Sequence, residues 1–489
     1  MFLNIDETST VCPFLLGLEH KENLSEKDFY PFVDNFKDTK VTDILFNINS
    51  QVSASSTNIK MYGEYADKYL QKTENGIPVD YTNEPVPKAY YLAKYVYKVD
   101  PFKIWIERTK ALGMNAWLSF RMNDCHFPDE ETAWIRGNYF YHAKKNGLMN
   151  GEKYGYYRNT YNYKHESTRK MFLDYIEEQL ARYDVSGIEL DFMREIYCFD
   201  YVDDDHDMCV RIMNDFIRSV KKIVSEAEAI KGHKIEIAVR LARDIEKSLR
   251  FGFDAVAWAK EGLADIIIPS PRWGGSDSAI PIEEWKAKLP GVRIFGCIET
   301  NINVLHPRWP AVGTMSLETI CGHGASLLSR GADELYGFNL FGENQRDRSV
   351  WPVLGSYEEI VKNPMRFIVV DEDHDIFPVG TEQWKQLPII PENENTITIK
   401  TGNLPNDKTV RLILAFDEGA PEDAEVSVNG KSVGELSPCK APDPTHSAYT
   451  DGAKCYNATV NLDSDTQNIT IKKITDKKVI ISWLELDVR

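Results

Sequence analysis

A (β/α)8 barrel followed by a C-terminal antiparallel β-sandwich is the fold this sequence predicts. Short apolar runs alternate with amphipathic helical stretches through residues 1–363, and near Pro364 the pattern switches to short alternating runs with no helical period. A chain of 489 residues with 43% hydrophobic and 11% aromatic residues is also long and apolar enough for two domains, expected at 1–363 and 364–489.

Eight strands are expected, at Phe2–Asp6, Thr42–Asn49, Asn115–Arg121, Gly187–Met193, Lys234–Arg240, Asp265–Pro269, Val292–Glu299 and Glu334–Phe341. Helical stretches fall between and after them at Ser25–Asp38, Asp100–Leu112, Ser167–Tyr183, Asp207–Ala229, Ser248–Gly262, Ile282–Leu289, Met315–Arg330 and Ser356–Lys362. Their ends carry the expected punctuation: Ser25 with Asp28 and Asp100-Pro101 open helices, and Gly113 and Gly331 close them just before a strand. Strict βα alternation of this number implies a parallel sheet closed into a barrel. Two long insertions rich in Tyr, Asn and Gly, Ser50–Val99 and Met122–Glu166, follow the second and third strands, on the end where such barrels keep their active sites. Beyond Pro364, strands are expected at Thr396–Thr401, Thr409–Phe416, Ala424–Val428, Tyr456–Leu462, Ile469–Ile474 and Lys478–Val488, with an Asn429-Gly430 hairpin turn.

The net charge of −18 argues against nucleic-acid and anionic-membrane partners, which would repel the chain at long range. There is no apolar run of membrane-spanning length, and Met1-Phe-Leu-Asn-Ile has neither a basic start nor a cleavable apolar core. The chain as written is thus expected in the cytoplasm, or secreted or periplasmic if a leader has been removed. Eight scattered cysteines without a C-x-x-C pair disfavour structural zinc, and most of them read as free thiols. Cys439 and Cys455 are the one pair that reads as a disulfide. The histidines show no metal-ligand spacing, and Asp203-Asp-Asp-His-Asp207, which could attract a cation, reads as a solvated run or a helix cap beside a helix start. No metal or cofactor is expected: a nucleophile-elbow serine, a phosphate loop and a dinucleotide fingerprint are all missing from the sequence.

Chemistry is therefore sought at the carboxyl ends of the strands. In Ser186-Gly-Ile-Glu-Leu-Asp-Phe-Met-Arg194 the period-2 pattern puts Ile188, Leu190 and Phe192 on one side and Glu189 and Asp191 on the other, so a buried strand points two carboxylates one way. Burying unpaired carboxylates costs several kcal/mol, on the order expected for isolated ions, so the pair is either neutralised by cations or built for chemistry. The remaining polar strand ends are Asp6, Asn47 and Asn49, Arg121, Arg240, Glu299 and Asn339, and the sixth strand runs into Pro269-Ser-Pro-Arg-Trp273.

At these residues the chain resembles clan A glycoside hydrolases and a broader group of glycosyl-hydrolase-like barrels with a Gly-Ile-x-Leu-Asp strand. The resemblance implies an acid/base at the end of the fourth strand and a nucleophile at the end of the seventh, the places of Asp191 and Glu299 here. The strand-four acid of clan A is usually a Glu preceded by Asn, whereas Asp191 follows Leu190. Asp191 is then an acid/base, a nucleophile or a substrate-binding carboxylate. Cleaving an acetal needs one carboxylic acid to protonate the leaving oxygen and one carboxylate to attack or to activate water.

Asp6, Asn47, Arg121, Arg194, Arg240, Arg272, Trp273 and Asn339 are the expected substrate-binding residues. Arginine forks pair two oxygens of a carboxylate or sulfate, which points to an anionic glycan, although some must instead neutralise Asp6, Glu189 and Asp191. Trp134, Trp273 and Trp309 are candidates for stacking on sugar rings. The expected partner is a carbohydrate. The competing readings are a non-catalytic carbohydrate-binding barrel and a sugar lyase or isomerase using Asp191 as base.

Overall fold

The computed structural model describes residues 1–271, 278–306, 309–340, 345–370, 386–440 and 454–489; for 302–314 and 345–347 only the backbone is described. Eight parallel strands close into a barrel: β1 (Phe2–Ile5), β2 (Asp43–Asn47), β3 (Asn115–Arg121), β4 (Gly187–Asp191), β5 (Glu236–Ala242), β6 (Ile266–Ser270), β7 (Arg293–Glu299) and β8 (Glu334–Phe338). Spatial order around the barrel follows chain order, so every expected strand is present, several a few residues shorter. Runs such as Ile44-Leu-Phe46 and Ile266-Ile-Ile268 are fully buried, as strands covered on both faces must be.

One glycine of the Gly-Ile-Glu-Leu-Asp strand has a packing reason. A Cβ on Gly187 would lie 2.1 Å from the Trp117 ring, so β4 can open beside β3 only with a bare backbone. Trp117 is held there by its indole N–H, which donates to Asp43 Oδ1 at 2.9 Å.

The principal helices are α1 (Tyr30–Asp34), α2 (Pro101–Ala111), α3 (Glu166–Arg182), α4 (His206–Lys231), α5 (Ala255–Glu261), α6 (Ile282–Lys288), α7 (Leu317–Ser329) and α8 (Tyr357–Ile360). Two expected helices are broken. Ser25–Asp38 becomes a 3-10 turn with a Ser25/Asp28 capping box followed by α1, which starts where Pro31 can occupy the first turn. Ser248–Gly262 becomes Ile245–Arg250 and α5, because Gly252 takes φ 86° and Asp254 caps a new helix by accepting from the Ala257 N–H. The insertions carry structure of their own, including helices Pro85–Tyr91 and Asn138–Asn146, and Tyr62 from the first stacks on Tyr175 of α3 at 4.1 Å.

Beyond the barrel strands lie two antiparallel sheets. β9 (Met365–Ile368), β11 (Val410–Glu418), β13 (Lys454–Val460) and β15 (Ile480–Val488) form one in the order β9-β15-β11-β13, extended by Ser437–Pro438. β10 (Glu394–Lys400), β12 (Ala424–Val428) and β14 (Thr466–Lys473) form the other in the order β10-β14-β12, extended by Lys431–Ser432. The second sheet is amphipathic, burying Ile397, Ile399, Val426, Val428, Ile469 and Ile471 on one face. Its Asn429-Gly430 turn has both φ values positive, 51° and 76°, which suits a two-residue hairpin. Cys439 N–H donates to Cys455 O at 2.9 Å across the neighbouring strands, and all eight cysteines are thiols, so the expected disulfide is absent from this structure.

The chain groups into two compact units, one of Met1–Ile268, Trp285–Ile294 and Leu340–Asn344, the other of Pro269–Glu284, Phe295–Asn339 and Gln345–Arg489. Within the second, α7 lies directly against β9: a Cβ on Gly322 would meet Arg366 O at 2.3 Å, and Ser326 Oγ donates to Lys400 O at 2.7 Å. Among the described residues, no helix is long and apolar enough to cross a membrane.

Candidate active site

Parallel register aligns three charged residues on neighbouring strands. Arg121 of β3 pairs with Asp191 of β4, and Asp191 with Arg240 of β5. Asp191 and Arg240 form a two-pronged ion pair, with Arg240 Nε donating to Oδ1 and Nη2 to Oδ2, both at 2.9 Å. Both residues are fully buried, 1% and 2% exposed. Planar fork-to-fork pairing of this kind fixes orientation, so both Asp191 oxygens face the Arg240 guanidinium.

Arg121 is committed in a similar way. Its Nη2 pairs with Asp6, and its Nη1 lies 3.2 Å from both Glu7 Oε1 and Asp124 Oδ2. Asp6 also caps the turn that leaves β1: its Oδ1 accepts from Thr8 N at 2.8 Å and from Ser9 N at 2.5 Å. For Asp6, burial pushes the carboxyl pKa upward, but Arg121 and the Thr8 and Ser9 hydrogen bonds outweigh it and hold it well below the usual range. Glu7, equally buried, goes the other way. Burial, reinforced by the charges of Asp6 and Asp124, pushes it well above the usual range despite Arg121.

Asp124 extends this cluster outward. Its Oδ1 accepts from the His126 backbone N–H at 3.0 Å and lies 2.7 Å from His126 Nδ1. Burial raises the Asp124 pKa, but His126, Arg121 and Arg194 together hold it far below normal. His126 Nε2 in turn lies 3.3 Å from Arg194 Nη2, and the His126 side chain keeps 30% of its surface exposed. Deeper in the barrel Glu189 Oε2 accepts from Asn4 Nδ2 at 2.8 Å, and Asn4 Nδ2 also reaches Ser119 Oγ at 3.0 Å.

Glu299 ends β7 and is 1% exposed. Its Oε1 accepts from Asn339 Nδ2 at 2.6 Å, while the Asn339 carbonyl accepts from Thr300 Oγ1 at 2.8 Å. Asn339 sits at φ 58°, a left-handed conformation that Asn tolerates better than most residues, and this turns its amide onto Glu299.

The remaining expected residues divide as follows. Asn47 is 1% exposed and donates to the carbonyls of Asn49 and Ser119, both at 3.2 Å. Arg194 is half-buried, the most open of the described strand-end arginines. Trp134 packs against Tyr65 and Phe127 at 5.5 and 5.9 Å. Arg272, Trp273 and the side chain of Trp309 lie outside the described residues. Glu7, Asp124 and His126 were not read as functional from the sequence. The cue for them was position alone, since all three lie within five residues of a strand end. Among the described residues, no group of three or more His, Cys, Asp or Glu is placed to hold a metal ion.

No protein-family model matches the chain, and no curated protein matches it in sequence. Solved structures similar to it include a Paenibacillus cycloisomaltooligosaccharide glucanotransferase, with 10% identity, 99% of this chain aligned and a TM-score of 0.35. This chain spans 57% of that protein's length. The PgaB glycoside hydrolase domain from Bordetella bronchiseptica aligns at 10% identity over 73% of this chain and 98% of that one, TM-score 0.39. An α-L-fucosidase from Vibrio sp. strain EJY3 aligns at 10% identity over 96% and 91%, TM-score 0.36. The class that fold and site define is a (β/α)8 barrel whose carboxyl end carries buried, paired charges.

Proposed function

We propose that the chain is a glycoside hydrolase working at the carboxyl end of its barrel, with Asp191 and Glu299 as the two essential carboxyls. One observation carries the reading: the in-register layer Arg121, Asp191 and Arg240 buries charge at the end where barrel enzymes hold their substrates. A purely structural interior would be cheaper if apolar. Asp191, held in the fork of Arg240, takes the part of the carboxylate that steadies positive charge developing at the anomeric carbon. Glu299, oriented by Asn339, takes the part of the acid that protonates the leaving oxygen.

The substrate class we propose is an anionic glycan, uronic or sulfated. Of the strand-end arginines expected to hold the anion, we assign the contact to Arg194, which is more exposed than the buried Arg121 and Arg240. The test is release of reducing ends from a panel of paired neutral and anionic glycans by the wild type, Asp191→Asn and Glu299→Gln. Cleavage by the wild type, with each variant slower by a factor on the order of 10² to 10⁴, is the expected result. A product with a new carbon–carbon double bond would make the protein a lyase. Binding without cleavage would make it a carbohydrate-binding barrel.

A further inference from the structure

We infer that Phe127 is a platform on which one sugar ring of the glycan stacks, beside the carboxyl end of β3. This rests on the glycoside-hydrolase reading and deepens it by assigning a substrate contact that does not depend on the charge of the glycan.

The backbone gives the first reason. Phe127 takes φ 55°, in the left-handed region, where the other described non-glycine residues are Asn, Asp and one lysine. A bulky side chain there carries an energetic cost, and Pro128 directly after it favours an extended residue at this place. Neighbours hold the strained turn in place. Glu130 N–H donates to Phe127 O at 3.0 Å, and the fully buried Arg136 donates to the same carbonyl through Nη2 and to Glu130 O through Nε at 3.2 Å. Asn159 Nδ2 donates to Pro128 O at 2.9 Å. All of these bonds reach main-chain atoms of residues 127–130, so Gly or Asn at 127 would keep them without the strain.

The side chain gives the second reason. It is 41% exposed, so the strained turn does not serve to bury the ring. Phe127 meets Trp134 at 5.9 Å with 60° between the planes and His126 at 6.3 Å with 53°, and neither arrangement is stacked. Tyr156, 40% exposed, adds a second open ring from the segment Glu152–Asn159, which Cys125 Sγ ties to Tyr156 O at 3.8 Å. Open aromatic surface past a strand end of the barrel suits the apolar C–H face of a pyranose. His126, the preceding residue, faces Arg194 at 3.3 Å, which sets the platform next to the arginine assigned to the anion.

The experiment uses the full chain and paired neutral and anionic glycans from the panel. Phe127→Leu keeps an apolar side chain and loses the ring, so KM is expected to rise about tenfold with kcat little changed, equally for both members of a pair. Phe127→Tyr and Phe127→Trp, which keep a ring, are expected to stay within about twofold of the wild type. Phe127→Asn is expected to raise KM as Phe127→Leu does while melting no lower than the wild type, because Asn tolerates this φ. A Phe127→Leu enzyme with KM within about twofold of the wild type, or a Phe127→Asn chain melting more than about 5 °C lower, would overturn the assignment and make Phe127 a packing residue, leaving the hydrolase reading intact. If the wild type cleaves nothing, the same glycans are titrated calorimetrically against it and against Phe127→Leu. Binding weakened about tenfold in the variant then keeps the platform while removing the hydrolase reading, and no binding by the wild type removes both.

Discussion

Asp191 and Arg240 each make the other's burial tolerable, and that constrains how either can be mutated. Asp191→Asn removes one charge of the buried two-pronged pair with Arg240 and should cost about 3 kcal/mol of stability, read from the urea midpoint. An Asp191→Asn/Arg240→Gln double variant should lose less than the sum of the singles. Loss of activity in Asp191→Asn therefore has to be measured well below its own melting temperature. Arg194 differs, being half-buried at the same end. Arg194→Lys keeps charge but loses the fork, so KM should rise severalfold for anionic glycans and barely for neutral ones. Equal effects on both would remove Arg194 from the substrate contact. A different residue governs acid stability. His323, within α7, is fully buried, neither ring nitrogen has a hydrogen-bond partner, and burial lowers its pKa from 6.5 to about 4. The unfolded chain takes up that proton near pH 6.5 and the folded chain resists it until about 4. Stability from this group is thus complete above pH 6.5 and is lost as pH falls towards 4. His323→Leu should flatten the decline in melting temperature between pH 7 and pH 5.

At the scale of elements, α7 is a barrel helix enclosed on the side it turns to β9. Thr319–Leu327 are buried without a break, including two glycines that a helix would ordinarily replace with better formers. Gly322 is required by contact with the Arg366 backbone, so Gly322→Ala must push β9 away and should cost about 1–3 kcal/mol. Gly17→Ala, where nothing lies within 4 Å, is the control and should leave the denaturation midpoint almost unchanged. Helix breaks follow the same logic of local chemistry. Gly252 and the Asp254 cap divide what apolar period alone joins into one helix, and the cap was visible in the sequence only once the break was known.

For the whole molecule, we propose the boundary near Pro364 as the limit of the catalytic barrel. A chain of residues 1–363 would retain every strand of the barrel but would uncover the α7 face that β9 and β10 meet. Its melting temperature should fall, and it should bind a hydrophobic dye that the full chain does not. If it unfolds outright, residues beyond 364 belong to the barrel's own folding unit.

Hydrophobic period and turn chemistry are local, and through them the sequence by itself determined the eight strands, the closed parallel barrel they imply, the alternating strands beyond Pro364 and the polar carboxyl end. Asp191, Glu299, Arg121 and Arg240 were legible for that reason, since each lies at or near the carboxyl end of a strand. Tertiary structure alone decided which charges meet. Arg121 and Arg240 read equally well as anion clamps or as neutralisers of carboxylates, and register put them on Asp6 and Asp191. Glu7, Asp124 and His126 stayed invisible because a lone acid or imidazole just past a strand end has no periodic signature. Their chemistry comes from burial and from partners as many as 114 positions away, such as Arg121 for Glu7, and distance in space is what a linear pattern does not encode.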